Sequence, residues 1–378
     1  MKARICMVVN GVDESRQSNK VRIAKCILDC GEISKAEIAS KLDLSMPTVF
    51  KNIKELIQLG IVTEGNEYQS TGGRKAKGLS IANHFMYSAG IDITRNHISY
   101  VFIDLKGDLL CQKRIRRSYE NTLDYYEALY ENFACFLEES RIESNKILGV
   151  GISVPGIIDA QNQLIITSHV LKVNNVSLKN LSQLFEYDVC YENDANSAAI
   201  AEFANRNKDA VYVSLSDTVG GCVYINQRIY TGEHYRSAEF GHMNLVRNGA
   251  KCYCGKKGCA DVYCSARVLA GHGNGSLERF FDQLQTGDEG SKKVWEKYLE
   301  DLAVLVTDLR MVFDCDIILG GYVGGYLKKY IMDLNKKVVK LDPFDNDTTY
   351  LQTCRYEREA SAVGIGMRFI EKYLDTLI

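Results

Sequence analysis

EFGHMNLVRNGAKCYCGKKGCADVYCS, Glu239 to Ser265, is the densest stretch of chemistry in the chain. It sets Cys252, Cys254 and Cys259 in a C-x-C-x4-C spacing, beginning ten residues after His242. Three thiolates and one imidazole make a tetrahedral set suited to zinc. The short spacing lets one turn wrap the ion, and Gly255 and Gly258 permit the backbone angles that wrapping needs. Ordinary reduced cysteines have no reason to cluster so densely between glycines beside a histidine. Four protein ligands leave no open position, so the expected zinc at 242–259 is structural rather than catalytic.

Around that loop lies a chain of 378 residues, long enough for two or three compact units. Its apolar share of 46% supports real cores and excludes a disordered chain. Only 3 prolines and no low-complexity tract argue against long linkers. No apolar run is long enough to cross a bilayer, and the patch Ile5 to Val9 is too short for a signal peptide. The 13 cysteines are odd in number and scattered outside the loop, which favours reduced thiols and a cytoplasmic setting over a disulfide framework. Charge is uneven. Residues 1–85 hold 13 Lys/Arg against 9 Asp/Glu, and the remainder holds 33 against 39. A basic small unit on an acidic larger one is compatible with nucleic-acid contact by the first.

Within residues 1–82 the patterning predicts three helices and a hairpin. Asn19 to Cys30 is amphipathic, with Val21, Ile23, Ala24, Ile27 and Leu28 on one side, and Gly31 ends it. Ser34 caps Lys35 to Leu42, with Glu37 completing a capping box. Ser45 caps a third helix, Pro47 to Leu59, which stops at Gly60. Two short helices joined by a tight turn form a helix-turn-helix. On the last helix Val49, Ile53, Leu56 and Ile57 are expected to face the core. Ser45, Thr48, Lys51 and Asn52 would face outward, suited to base edges and phosphates. Strands Ile61 to Glu64 and Gly78 to Ile81 flank Gly72-Gly73-Arg74-Lys75. That makes a wing whose Arg74 and Lys75 would reach phosphates or a narrow minor groove.

Residues 83–378 predict an α/β effector part. Met86 to Ile93 and His97 to Asp104 form a hairpin, and Asp108 to Arg116 adds a third strand. A helix over about 121–141 and a strand Ile147 to Ser153 follow. A second round begins with Ala210 to Leu215, Gly220 to Ile225 and Gln227 to Tyr230. It continues through helices to the strand Asp316 to Leu319 and a last helix from Glu359. Three antiparallel strands followed by alternating helices and parallel strands, twice over, is the two-lobed actin-like ATPase (RNase H-like) arrangement, whose interlobe cleft would hold a ligand.

Six short motifs in order resemble the ROK family of sugar kinases and sugar-responsive repressors. They are Gly72-Gly73-Arg74, Val154-Pro155-Gly156, Glu192 to Asn196, Glu239-Phe240-Gly241-His242, the three-cysteine loop, and Leu319-Gly320-Gly321. The resemblance covers nearly the whole chain. It implies zinc on His242, Cys252, Cys254 and Cys259, and sugar hydroxyls on Asn193, Asp194, Glu239 and His242. It also brings Gly156 and Asp261 to the ligand site, Asp261 standing where family members usually carry Glu. Carboxylates and amides suit vicinal hydroxyls, each both donor and acceptor. In the family's kinases the residue at Asp194 is the general base on the attacking hydroxyl.

The departures bear on catalysis. Where the family's kinases carry Asp-x-Gly-Gly-Thr, this chain has Asp92-Ile93-Thr94-Arg95-Asn96. Side chains replace the glycines that let backbone N–H groups approach phosphate. The second phosphate loop is Ser216-Asp217-Thr218-Val219-Gly220-Gly221, with a carboxylate where polyphosphate would lie. The expectation is a repressor without kinase activity that binds operator DNA as a homodimer or homotetramer and answers to a monosaccharide or sugar derivative. The alternative is an ATP-dependent sugar kinase with a fused DNA-binding domain.

Overall fold

The computed structural model describes residues 18–67, 77–204, 206 and 208–377. Local capping sets the first helices. The hydroxyl of Ser18 accepts from Val21 N–H at the start of α1 (Asn19–Cys30), and Ser34 and Glu37 close a capping box on α2 (Lys35–Leu42). Ser45 accepts from Thr48 N–H ahead of α3 (Met46–Gln58). Ile23, Ile27, Ile38, Val49, Ile53 and Leu56 form the core between them. β1 (Val62–Glu67) pairs antiparallel with β2 (Lys77–Ile81) to give the wing. The expected tip, with Arg74 and Lys75, lies outside the described residues. Ile57 departs from expectation. It is 37% exposed and, with Phe50 at 51%, stands on the shoulder of α3 rather than in its core.

A first sheet follows, of β3 (Tyr87–Ile93), β4 (His97–Asp104), β5 (Leu109–Arg116), β6 (Ile147–Val154) and β10 (Val189–Asn193), in the order β10-β6-β3-β4-β5. β3, β4 and β5 are antiparallel, while β6 runs parallel to β3. α4 (Leu123–Ser140) covers this sheet, with Tyr125, Leu129, Phe133 and Phe136 in its core. Between β6 and β10 lie a small sheet of β7 (Ile157–Asp159), β8 (Leu164–Ser168) and β9 (Val173–Ser177), and the short α5 (Lys179–Ser182).

After α6 (Asp194–Phe203) the same pattern recurs. β11 (Ala210–Leu215), β12 (Val219–Ile225) and β13 (Arg228–Ile229) are antiparallel, and β14 (Asp316–Gly320) and β15 (Leu351–Thr353) continue the sheet parallel to β11. The order is β13-β12-β11-β14-β15, so each sheet places its first, second and third strands on one side and its fourth and fifth on the other. The expected repeat is present. α7 (Asp261–Cys264), α8 (Ala266–His272), α9 (Leu277–Gln285) and α10 (Glu289–Phe313) lie between β13 and β14. α11 (Gly321–Leu327) and α12 (Ile331–Leu341) precede β15, and α13 (Ala360–Asp375) closes the chain.

The chain divides into two compact units, residues up to 192 with 362–378, and residues 193–361. This division falls inside the effector part and keeps the winged segment with the first sheet. α13 and the residues just after it contact both. On the sheet side, a Cβ at Gly90 or Gly151 would overlap the carbonyls of Ala362 and Ile365, so these glycines let the helix backbone lie on the strands. Ser88 Oγ donates to Gly366 C=O at 2.7 Å. On the other side, Lys25 of α1 pairs with Asp375 at 2.7 Å, and Ser18 Oγ donates to Leu377 C=O at 3.0 Å. No helix among the described residues is long and apolar enough to cross a membrane.

Candidate functional site

The cysteine loop is a miniature hairpin. Cys252 N–H donates to Lys256 C=O at 2.8 Å, and Gly258 N–H to Ala250 C=O at 2.8 Å. Gly258 has a φ of 79°, and a Cβ there would overlap the Val246 carbonyl, so no other residue fits the turn. The hairpin carries Cys252, Cys254 and Cys259 round to His242, whose ring sits at the end of a short turn, Phe240 to His242. The four ligand atoms all lie within 4.8 Å of one another. Cys254 Sγ and Cys259 Sγ are 3.7 Å apart, and Cys252 Sγ is 3.9 Å from His242 Nδ1. Tetrahedral zinc with bonds of about 2.3 Å to sulfur separates its sulfurs by about 3.8 Å, so the donor set has the size of that ion. Nδ1 faces the sulfurs, while Nε2 lies 3.4 Å from the Tyr253 hydroxyl.

Asn193 and Asp194 open α6. The Asn193 side chain accepts from Ala195 and Asn196 N–H at 2.9 and 3.0 Å and donates to Asp194 Oδ1 at 3.0 Å. It is the helix cap and also steers the neighbouring carboxylate. Burial holds the Asp194 carboxyl above its ordinary value against its backbone N–H bonds, and the Asp217 carboxylate adds to the rise. Glu239 is reached by solvent yet closely surrounded. Burial raises its carboxyl, Asp194 raises it further, and Arg236 opposes. Asp194 thus lies near enough to raise Glu239, in the same unit as the cysteine loop.

Asp261, expected on the ligand, has no exposed surface. Its Oδ1 accepts from Val219 N–H and its Oδ2 from Arg267, each at 2.8 Å. The carboxylate thus ties the β11–β12 turn to α7. Burial raises its carboxyl, and the Val219 bond, Arg267 and His242 oppose. Gly156 belongs to the other unit, with a φ of 128° and a Cβ position closed by the Thr167 carbonyl. Tyr253 and Arg267 went unread in the sequence. The Tyr253 ring meets His242 edge-on at 5.3 Å, and the Arg267 guanidinium lies 5.5 Å over it. No spacing signal marks either one.

In the β3–β4 turn, Thr94 N–H donates to His97 C=O at 2.9 Å. Ser216 N–H donates to Thr218 C=O at 3.2 Å. Gly321 N–H, at the start of α11, donates to the buried Tyr212 hydroxyl at 3.1 Å.

On the winged segment Ser45 and Lys51 are exposed, and Thr48 and Asn52 half-buried. The Ser45 and Thr48 hydroxyls share a bond of 2.8 Å, and Asn52 Nδ2 donates to Thr48 C=O at 2.8 Å. The sequence reading missed the neighbouring groove lined by Phe50, Ile57, Lys35, Lys54 and Glu64.

Comparison with known proteins agrees with this architecture. A family model described as winged helix-turn-helix DNA-binding matches residues 16–63. The chain is 31% identical to the xylose repressor of Bacillus spizizenii over 262 residues, 67% of each chain. It is 25% identical to the transcriptional dual regulator NagC of Escherichia coli over 268 residues, 69% of this chain and 66% of that one. Among solved structures, a ROK family transcriptional regulator described as a homolog of the E. coli Mlc protein superposes with a TM-score of 0.74. It is 18% identical, over 96% of this chain and 97% of that one. A ROK family glucokinase from Streptomyces griseus gives a TM-score of 0.63 at 21% identity, over 75% of this chain and 98% of its own. At these identities the two structures speak for the fold. The ROK family model itself matches residues 88–369, well over half of the sequence. With the duplicated five-stranded sheets and the ordered motifs around the cysteine loop, that match places the chain in the ROK family.

Proposed function

We propose that this protein is a sugar-responsive transcriptional repressor, and that its effector part binds sugar without phosphorylating it. One observation carries the reading. A single chain pairs a winged helix carrying exposed Ser45 and Lys51 and half-buried Thr48 and Asn52 with two carboxylates, Asp194 and Glu239, in the unit that holds the His242–cysteine cluster. The α3 residues, with Arg74 and Lys75 of the wing, contact operator DNA. Asn193, Asp194, Glu239 and His242 receive a monosaccharide or sugar derivative. Asp261 supports that wall through Val219 and Arg267. His242, Cys252, Cys254 and Cys259 hold a structural zinc ion, which binds as a Lewis acid to thiolate and imidazole and fixes the loop. The protein acts in the cytoplasm as a homodimer or homotetramer.

Two features support the absence of kinase chemistry. Thr94-Arg95-Asn96 puts side chains in the first phosphate turn. Asp217 puts a carboxylate in the second, where a like charge at about 4 Å costs roughly 4 kcal/mol at an effective dielectric of 20. The glucokinase-like fold and the retained Asp194 favour the alternative, an ATP-dependent sugar kinase with a fused DNA-binding domain. A monosaccharide panel headed by xylose and N-acetylglucosamine, read by thermal shift and by release of selected DNA, tests the proposal. A sugar that stabilises the protein and changes DNA affinity without ADP formation is the expected result. Sugar-dependent ADP release, lost in Asp194→Asn, would overturn it.

A further inference from the structure

Away from the cysteine loop, Cys26 and Cys30 form a second thiol pair among the described residues. They lie one turn apart at the C-terminal end of α1, Cys26 buried and Cys30 half-buried. The Lys41 ammonium of α2 donates to the Cys30 sulfur at 3.1 Å, and the two thiols hydrogen-bond to each other. A partly exposed cysteine sulfur in contact with a cation is the setting in which cysteine reacts. Burial and then the neighbouring Cys30 push the Cys26 thiol up to about 11, so Cys26 stays protonated and donates to its neighbour.

The location gives this pair leverage. Gly31 ends α1 with a φ of 71°. Ile33 exchanges two backbone hydrogen bonds with Leu79 of the wing, at 3.1 and 2.9 Å, and Ser34 caps α2. Within four residues of Cys30 the first helix, the second helix and the wing are joined. Any distortion of the last turn of α1 therefore reaches the elements that set the pose of α3.

We propose that Cys30, Cys26 and Lys41 form a peroxide-reactive thiol switch in the DNA-binding segment, whose oxidation weakens operator binding. The Cys30 thiolate attacks the terminal oxygen of a hydroperoxide. An S–O bond forms, the O–O bond breaks, and the alkoxide leaves with a proton from the Lys41 ammonium, which solvent restores. The Cys26 sulfur then displaces hydroxyl from the Cys30 sulfenic acid. An S–S bond forms, the S–O bond breaks, and the hydroxyl departs as water with the Cys26 proton. Two thiols are oxidised by two electrons and the peroxide is reduced by two. Residues four apart on a helix hold their Cβ atoms about 5–6 Å apart, whereas a disulfide needs about 3.5–4.5 Å. Closure therefore pulls the last turn of α1 out of helical form. The effect on DNA rests on the repressor reading; the thiol chemistry does not.

The test uses the full chain, reduced and zinc-loaded, with hydrogen peroxide as oxidant. Peptide mass spectrometry should find the Cys26–Cys30 linkage before the cysteines of the metal loop are modified, formed more slowly in Lys41→Met and absent in Cys30→Ser. Fluorescence anisotropy then uses a labelled duplex that the reduced protein has selected from a random-sequence pool. Affinity should fall at least roughly tenfold on oxidation, recover with dithiothreitol, and hold in Cys30→Ser. No oxidation at Cys30 overturns the thiol site. A linkage without loss of affinity, or an equal loss in Cys30→Ser, overturns the switch. If the reduced protein selects no DNA at all, the repressor reading fails instead, and the mass spectra alone decide the thiol chemistry.

Discussion

Replacing Asp261 by alanine separates a support role from a ligand-contact role. The carboxylate is fully buried, with Val219 N–H and Arg267 each at 2.8 Å. Removing it strands the Val219 N–H, which sits in a residue only 4% exposed. A buried donor left without a partner costs about 1–3 kcal/mol. The Arg267 side chain is 52% exposed, so its freed charge rehydrates, and the ion pair itself adds only about 0–1 kcal/mol. The larger penalty of an orphaned buried charge does not arise. The sum is about 2 kcal/mol. For a unit the size of 193–361 that lowers Tm by about 4–8 °C. Asp261→Asn keeps an oxygen for Val219 and loses only the ion pair, so its loss is about 2 °C. Differential scanning fluorimetry of the zinc-loaded full chain, with a sugar titration on the same variants, measures both quantities. The reasoning is refuted if Asp261→Ala melts within about 1 °C of the parent while sugar affinity collapses, because the carboxylate would then serve the ligand and not the fold.

Two further outcomes follow from the site. Stripping the metal with a strong chelator should release about one zinc per chain, lower Tm and abolish sugar-induced stabilisation, all reversed by added zinc; a sugar response that survives zinc loss would separate the metal loop from the ligand wall. The Asp194 and Glu239 carboxyls titrate above their ordinary 3.8 and 4.5. The folded state thus binds more protons than the unfolded state between those values and the raised ones, and stability falls as pH rises through that window. The parent should lose more Tm than an Asp194→Asn/Glu239→Gln double variant as pH is raised from about 4 towards neutrality, and parallel melting curves would contradict the raised carboxyls.

Much of the architecture was legible because it is written locally. Ser34 and Glu37 are three residues apart, and the capping box they form is present. The apolar runs of β3, β4, β11 and β12 and the alternating run of β5 lie next to one another in the chain, and so do their pairings. The cysteine cluster is legible for the same reason, since its spacing is short enough for one turn to bring the sulfurs together. Ile57 shows where periodicity alone fails. It lies near the apolar arc of α3, and only the placement of β1 and α2 leaves it outside the core. The small β7–β8–β9 sheet, β10 and β15 are short strands that no alternation marks strongly, and their neighbours in the sheets decide them.

From sequence alone came the winged helix, the repeated strand pattern and the composition of the cysteine loop, because caps, turns and side-chain periods act over a few residues. Tertiary structure decided the rest. Asp261 meets Val219 across 42 positions, and only that contact shows a buried support where the sequence suggested a sugar contact. Ser18 meets Leu377 across 359 positions and Lys25 meets Asp375 of α13, contacts that tie the winged segment to the end of the chain. Such contacts depend on packing between elements distant in the chain, and the hydrogen bonds that define them carry no signature at either end.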